Sequence, residues 1–232
     1  MTSFFGSPDG DDDLENLNQE FWRSLLGHIR SGCPIDEVHS ILDVGCNRGG
    51  LLELLARHFK PEVLFGLEPM ADARQCATFR LKGSAAEVKI LRPARWPTIP
   101  TASVDLVTAH EVLYLISDIS SFMSSLARVI RPGGWAFVVL GCHTENPVWQ
   151  RWKSQIEELG HETYDYSPMD VVRVASAAGF HTSVRPLRRD GWVIYDPATA
   201  EFQYSTVAEM FDHQYRQKLL FRLAKGKATA RS

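Results

Sequence analysis

The segment ILDVGCNRGGLL, residues 41–52, constrains this chain more than any other. Its first residues are a short apolar run carrying one acid, Asp43, as in a buried strand. Gly45, Gly49 and Gly50 then mark a tight turn, and Leu51, Leu52 and Leu55 return at helical spacing. A strand that passes through a glycine-rich turn into a helix makes a place for a nucleotide-like ligand. Glycine lets the backbone turn sharply and approach the ligand closely. The start of the helix adds N–H groups without intrahelical partners. The next apolar run, residues 63–67, ends on Glu68, where a carboxylate can accept hydrogen bonds from both hydroxyls of a ribose.

The rest of the chain repeats the alternation of strand and helix. Leu14, Leu17, Phe21, Leu25 and Ile29 predict an amphipathic helix ahead of the first strand. Strands are expected at about 40–44, 63–68, 87–91, 104–109 and 135–140, with helices at 51–59 and 71–80. Ile119, Phe122, Met123, Leu126, Val129 and Ile130 line one face of another helix, which Pro132-Gly133-Gly134 ends and turns into the fifth strand. Ser167-Pro168-Met169-Asp170 opens a later helix with an N-cap serine, a first-position proline and an early acid; Gly179 closes it. Residues 182–187 read as a strand, Asp190-Gly191 as a hairpin turn into a strand at 192–195, and 219–224 as a final strand. Such alternation predicts an α/β fold with a doubly wound, mostly parallel sheet between two helical layers. Ligands of such sheets sit outside the carboxyl ends of the strands, and Gly45, Glu68, His110 and Cys142 all follow strand ends.

Size and charge narrow the field. The 232 residues suit one domain, expected over 13–225, between a disordered acidic stretch at 1–12 and a loose tail at 226–232. A net charge of −3 predicts no general affinity for nucleic acid or anionic membrane. No apolar run approaches the roughly 18 residues that span a bilayer. The N-terminal residues lack the basic and apolar regions of a signal peptide. Cys33, Cys46, Cys76 and Cys142 form no CxxC pair and read as reduced thiols, so a cytoplasmic location without disulfide or metal is expected.

Four segments in order, ILDVGCNRGGLLELLA, GLEPM, VDLVTAHEVLYLI and LARVIRPGGWAFVVL, resemble the successive motifs of class I S-adenosylmethionine-dependent methyltransferases over roughly residues 38–142. The resemblance implies a Rossmann-like seven-stranded sheet whose last strand is inserted antiparallel. It implies S-adenosyl-L-methionine as cofactor, and it assigns residues to it. Gly45 and Gly49 match the glycine loop, and Asp43 the acid that commonly helps hold the methionyl amino group. Glu68 matches the ribose acid, and Met70 the apolar residue packed on adenine. His110 and Glu111 match the segment lining the methionine end. Two positions depart from the pattern. Asn47 replaces the middle glycine, and its side chain can crowd the ligand or hydrogen-bond to it. Pro93 replaces an acid close to the adenine amino group, leaving backbone around Ala94 and Arg95 to read the base edge. Each glycine or acid has a plainer alternative as an ordinary turn, cap or solvated strand end.

The implied reaction is methyl transfer to an oxygen or nitrogen of a small-molecule acceptor, by a monomer or homodimer. A hydroxyl acceptor needs a base, and His143 and His110 are the candidates. Trp149, Trp152, Tyr164 and Tyr166 either wall an acceptor pocket or seal the sheet face. The helix over 14–29 and the segment 143–166 are expected to cover the methyl group from opposite sides. Two alternatives stand beside this reading: a methyltransferase-like protein that binds the cofactor without turnover, and an NAD-type oxidoreductase, since Gly45, Asn47 and Gly50 loosely echo a dinucleotide fingerprint.

Overall fold

The computed structural model describes residues 4, 8–32, 38–188, 191–198, 200 and 203–226. Its strands are β1 Ser40–Val44, β2 Val63–Leu67, β3 Glu87–Leu91, β4 Val104–His110, β5 Ile130–Leu140, β6 Phe180–Pro186 and β7 Leu219–Lys225. They form one seven-stranded sheet in the order β3-β2-β1-β4-β5-β7-β6. Only β7 runs antiparallel to its neighbours, β5 and β6; the other pairs are parallel. This is the doubly wound sheet with an antiparallel last strand that the alternation and the resemblance predict.

Side chains alternate across the sheet and create two cores. Ile41, Leu64, Leu106 and Phe137 point to one face, against Phe21, Leu25 and Ile29 of helix α1 (Pro8–Gly32) and Leu52 and Leu55 of helix α2 (Gly50–Phe59). Leu42, Phe65, Val107 and Val138 point to the other. There they meet Phe122, Met123 and Leu126 of helix α4 (Ile119–Val129) and Val171 and Ala175 of helix α6 (Pro168–Ala177). Each such side chain contributes about 1.5–3 kcal/mol by leaving water. Helix α3 (Ala71–Arg80) connects β2 to β3 by way of a short 3₁₀ turn. Local chemistry sets the helix ends. Asp118 accepts from the N–H groups of Ser120 and Ser121 at the start of α4, and Ser167 and Asp170 cap α6 reciprocally. Gly179, at φ 87, ends that turn in the left-handed region that favours glycine.

Four points of the sequence reading need correction or addition. Residues 8–12, read as part of a disordered stretch, are the first turns of α1. The acids that suggested disorder sit at a helix N-terminus, where the helix dipole favours them. Arg48 pairs with Asp12, and Arg80 with Glu15 at 2.8 Å, tying α1 to the turn before α2 and to α3. Second, Ile130 belongs to β5 and not to the helix, and Pro132-Gly133-Gly134 lies within the strand. Val104 pairs with Ile130 but Leu106 pairs with Trp135, so the extra residues bulge out of β5. A Cβ on Gly134 would meet the Asp105 carbonyl at 3.0 Å, which is why the bulge needs glycine there. Third, residues 192–195 form no strand; the turn before them falls partly on 189–190, outside the described residues. Fourth, two helices carried no prior signal: α5 (Trp149–Glu158) and α7 (Val207–Asp212), the latter continuing into a wider π-type turn over His213–Gln217. Of the expected loose tail, 227–232 lie outside the described residues. No helix is long and apolar enough to cross a membrane among the described residues.

Candidate functional site

A cavity of about 1100 Å³ opens at the carboxyl ends of β1, β2 and β4, where the strand order reverses. Its floor is the turn after β1. Gly45 (φ 74), Asn47 (φ 45) and Gly49 (φ 83) all take left-handed backbone, so asparagine fills a glycine conformation. Four of the turn's N–H groups are spent within the protein. Those of Gly45 and Cys46 reach the Leu67 carbonyl at 2.8 and 3.1 Å, and that of Gly49 reaches the Cys46 carbonyl at 2.8 Å. The Asn47 N–H donates to Glu68 Oε2 at 3.0 Å, and the Met70 N–H donates to Glu68 Oε1 at 2.8 Å.

Glu68 therefore clamps the turns after β1 and β2 to each other. It is 3% exposed. Burial raises its pKa, and the two N–H groups pull it back in part. Asp43, also buried, accepts from the Thr108 hydroxyl at 2.7 Å. Burial pushes its pKa up to about 7; the Thr108 bond opposes this and the Glu68 charge adds to it. Neither acid has an ion-pair partner among the described residues. The Asn47 Oδ1 on the same wall is buried without a hydrogen-bond partner among the described residues. Met70, Pro93 and Trp96 reach the cavity beside Glu68.

The far side of the floor is built from β4, β5 and β7. Glu111 (φ 55) accepts from the Gly141 N–H at 2.9 Å and pairs with Lys218 Nζ at 2.7 Å. A side chain at Gly141 would collide with this carboxylate, since its Cβ would lie 2.6 Å from Glu111 Oε1. Burial alone would raise the Glu111 pKa, but Lys218, His110 and the Gly141 N–H outweigh it and hold it at about 2. Lys218 also sits over the Phe21 ring of α1, 4.3 Å from its centroid. His110 meets Trp22 edge-on at 6.4 Å. Burial, then Lys218, push its pKa down to about 3 against the pull of Glu111, so it is neutral.

Asp43, Gly45, Asn47, Glu68, Met70, His110 and Glu111 thus share one cavity. Gly49 and Ala94 stand off its wall: Gly49 caps α2 and packs on Ala77, and Ala94 lies in the exposed turn that carries Pro93. His143 is not on the wall either. It is buried, and its Nε2–H donates to the Gln217 carbonyl at 2.8 Å, which holds it behind the cavity and away from a base's position. Of the four aromatic residues between β5 and α6, only Trp152 lines the cavity. Trp149 is sealed inside with its Nε1–H on Asp165 at 2.7 Å, and the Tyr166 hydroxyl bonds the Ile116 carbonyl at 2.7 Å. Both expected covers do contribute, through Leu14, Leu17 and Trp22 of α1 and through Trp152, Ile156 and His161.

The remaining wall comes from the last third of the chain. Tyr195, Tyr204, His213, Gln214 and Lys218 close the cavity around Trp152. The Trp152 and Tyr204 rings meet at 5.5 Å, and the Gln214 amide donates to the Tyr204 hydroxyl at 2.8 Å. None belongs to a motif. Lys218, the cation immediately before the last apolar run, was the nearest thing to a signal. Among the described residues no group of three or more His, Cys, Asp or Glu is placed to hold a metal ion.

Residues 15–182 match the family model described as a methyltransferase domain. The chain is 26% identical over 151 residues to a ubiquinone biosynthesis O-methyltransferase of Thiobacillus denitrificans, covering 61% of this chain and 64% of that one. It is 29% identical over 126 residues to a trans-aconitate 2-methyltransferase of Rhodopseudomonas palustris, covering 54% and 46%. The chain therefore spans less than two thirds of the length of these curated relatives. In fold it resembles a chain of the complex between the Haloferax volcanii Trm112 methyltransferase activator and a methyltransferase, with a TM-score of 0.74 at 20% identity over 94% of this chain and 95% of that one.

Proposed function

This chain belongs to the methyltransferase-domain family, whose cofactor is S-adenosylmethionine, and we propose that it transfers the methyl group of that cofactor to a small-molecule acceptor. The observation that carries the reading is how charge and hydrogen bonding are left at the floor of the cavity. Two buried carboxylates, Asp43 and Glu68, form no ion pair among the described residues, with Arg74 acting on Glu68 only at longer range, while the N–H groups of Gly45, Cys46, Asn47 and Gly49 are already taken. A pyrophosphate would meet two acids and find those N–H groups spent, which disfavours a dinucleotide. A ligand carrying an ammonium group and ribose hydroxyls supplies the donors these acids lack. The residues thus fit the family's cofactor.

In this reading Glu68 accepts from the ribose hydroxyls while keeping its two backbone N–H bonds, and Asp43 faces the ammonium group. Asn47 offers its unused Oδ1 as a further acceptor, and Met70 gives an apolar surface for the base. His110 and Glu111, one neutral and one neutralised by Lys218, line the side nearer the acceptor. The cofactor supplies a methyl group already activated by its sulfonium. What the chain must do is hold the acceptor in line with it and keep water out. Trp22, Trp152, Tyr204 and the segment at 193–196 wall that end.

Titration calorimetry with S-adenosylmethionine, S-adenosylhomocysteine and NAD tests the proposal. S-adenosylhomocysteine should bind and NAD should not. Binding of NAD alone would overturn it.

A further inference from the structure

Asn146 lies in the turn between β5 and α5 and is 3% exposed. Its Nδ2 stands 2.6 Å from the Gly141 carbonyl oxygen and 3.0 Å from Nδ1 of His213, and its Oδ1 accepts from the Val148 N–H at 3.2 Å. These contacts permit one orientation of the amide. Turned over, it would set Oδ1 against the Gly141 carbonyl and its NH₂ against the Val148 N–H, two repulsions in place of two hydrogen bonds. The atom facing His213 is therefore a donor, and Nδ1 of His213 is an acceptor. An imidazole that accepts at Nδ1 carries its proton on Nε2.

The ring is also neutral. Burial, then Lys218, push its pKa down to about 3 against the pull of Glu111. His213 is 4% exposed, lines the cavity and packs edge-on against Trp152 at 4.4 Å. Its Nε2–H has no hydrogen-bond partner among the described residues. A donor held this way on the cavity wall can meet an acceptor atom of the ligand.

That contact sorts acceptors by chemistry. An ammonium group offers no lone pair to the Nε2–H. A neutral amine that accepted the bond would tie up the lone pair it needs for attack. A hydroxyl oxygen could accept, but its own proton must then leave. The charged and titratable groups that act on His213 are Lys218, Glu111 and His143. Lys218 and Glu111 neutralise each other, and His143 faces Gln217 behind the wall. None of these three offers the cavity a free base. An oxygen that arrives without a proton needs none. A carboxylate meets the condition, because one oxygen can take the His213 bond while the other attacks.

We propose that His213, oriented by Asn146, donates from Nε2 to one oxygen of an acceptor carboxylate, and that this chain makes the methyl ester of a carboxylic acid with an apolar body. The inference rests on the reading of the cavity as a methyl-transfer site. In the reaction a carboxylate lone pair forms the new O–CH₃ bond as the methyl C–S bond breaks, and that bond's electron pair stays on sulfur. The carboxylate and sulfonium charges cancel and no proton is released, so no base is needed. Trp152, Tyr204 and Ile156 supply the apolar surface for the acid's body.

The test has two arms. Binding by calorimetry, with and without S-adenosylhomocysteine, uses matched series: 3-phenylpropanoate, 3-phenylpropanol and 3-phenylpropylamine, and octanoate, octanol and octylamine. At least one acid should bind between about tenfold and a hundredfold more tightly than its alcohol and amine, the range for a hydrogen bond to a charged group. His213→Leu should abolish that preference, and His213→Gln, which keeps a side-chain N–H donor, should retain part of it. In the second arm, ¹⁵N spectra of the ligand-free protein, assigned by the signals missing in His213→Gln, should show His213 protonated at Nε2 and bare at Nδ1 from pH 5 to 8. A proton on Nδ1, or no acid preferred over its alcohol and amine, overturns the proposal. Acid binding without S-adenosylhomocysteine binding would sink the cofactor reading, and the ester with it, and leave only the contact between His213 and the carboxylate standing.

Discussion

Replacing Asp43 with asparagine should make the protein more stable at pH 8 and worse at binding its cofactor. Asp43 is fully buried, and its pKa is pushed up to about 7 from an ordinary value of 3.8. Because the folded state holds this proton more tightly than the unfolded chain, the sign of the linkage is fixed. Between about pH 4 and 7 the native state carries a proton that the unfolded state has lost, so stability falls as pH rises through that window and is flat above it. A displacement of about 3 pH units at about 1.36 kcal/mol each gives a penalty of at most about 4 kcal/mol above pH 7. Asparagine keeps an acceptor for the Thr108 hydroxyl and carries no charge. The Asp43→Asn protein should therefore melt several degrees higher than the parent at pH 8 and match it near pH 4. The difference between the two proteins isolates Asp43 from other titrating groups. Cofactor binding should run the other way. An ammonium beside Asp43 favours its ionised form, so parent affinity for S-adenosylhomocysteine should weaken by up to about tenfold per pH unit below pH 7, with uptake of the ligand releasing a proton there. Calorimetry in buffers of different ionisation enthalpy counts that proton. Equal melting shifts at pH 4 and 8, together with pH-independent affinity, would refute the reasoning.

Other outcomes follow from the same site. Glu68→Ala strands the Asn47 and Met70 N–H groups and removes the ribose acceptor, so S-adenosylhomocysteine affinity should drop more than about tenfold; unchanged affinity in calorimetry would take Glu68 out of the site. Lys218→Met leaves Glu111 buried without its cation and should cost about 3–5 kcal/mol in urea unfolding, whereas Lys218→Met with Glu111→Gln should recover much of the loss. Acid should destabilise the protein through His110 and His213, both with pKa lowered to about 3. Their unfolded forms take up protons below about pH 6.5 and the folded ones do not, so His213→Gln should flatten melting temperature between pH 4 and 6.5. Hydrogen exchange over the cavity face of α1 and over 152–161 should slow when S-adenosylhomocysteine is added, because both segments wall the cavity; equal rates in the two states would show they are no lid.

The parts of this molecule that could be read from its sequence are those where backbone geometry and side-chain identity are fixed by the same local interaction. The β1 turn is legible because Gly45 and Gly49 are required by positive φ. Glu68 is legible because it ends a strand, and the α6 boundaries because Ser167, Asp170 and Gly179 each satisfy backbone groups nearby. The β5 bulge was misread because Pro132-Gly133-Gly134 is turn chemistry by composition, and only the pairing of β4 with β5 shows it lying inside a strand. The first acidic residues were misread for a related reason: their partners, Arg48 and Arg80, lie far along the chain. The acceptor wall was hardest. His213 acquires its role from Asn146, sixty-seven residues earlier, and Lys218 from Glu111, more than a hundred residues earlier. His143 was the more visible histidine because it follows a strand end, yet its Nε2 is spent on a backbone carbonyl and the ring lies behind the wall.

The division of charge within the cavity argues that its two ends serve different partners. Toward β1 and β2 the chain leaves carboxylates unpaired at a cost in stability, the usual mark of a site kept ready for a cationic ligand. Toward β5 and β7 it does the opposite: Lys218 cancels Glu111, and His110 and His213 are held neutral. Had the acceptor been cationic, an unpaired carboxylate at this second end would have stabilised it, and the Glu111–Lys218 pair withdraws the one in place. An anionic acceptor gains instead from the neutralised Glu111 and from a donor at His213. The reaction proposed joins an anion to a cation and leaves two neutral products. Charge that disappears on the way to the transition state is favoured by surroundings that solvate ions poorly. The Trp152, Tyr204 and Ile156 walls are such surroundings. If the reasoning holds, Ile156→Asp, which sets a new carboxylate among those walls, should weaken binding of the acid probes while leaving S-adenosylhomocysteine affinity unchanged. An equal loss for acid, alcohol and amine would show that the wall contributes shape alone.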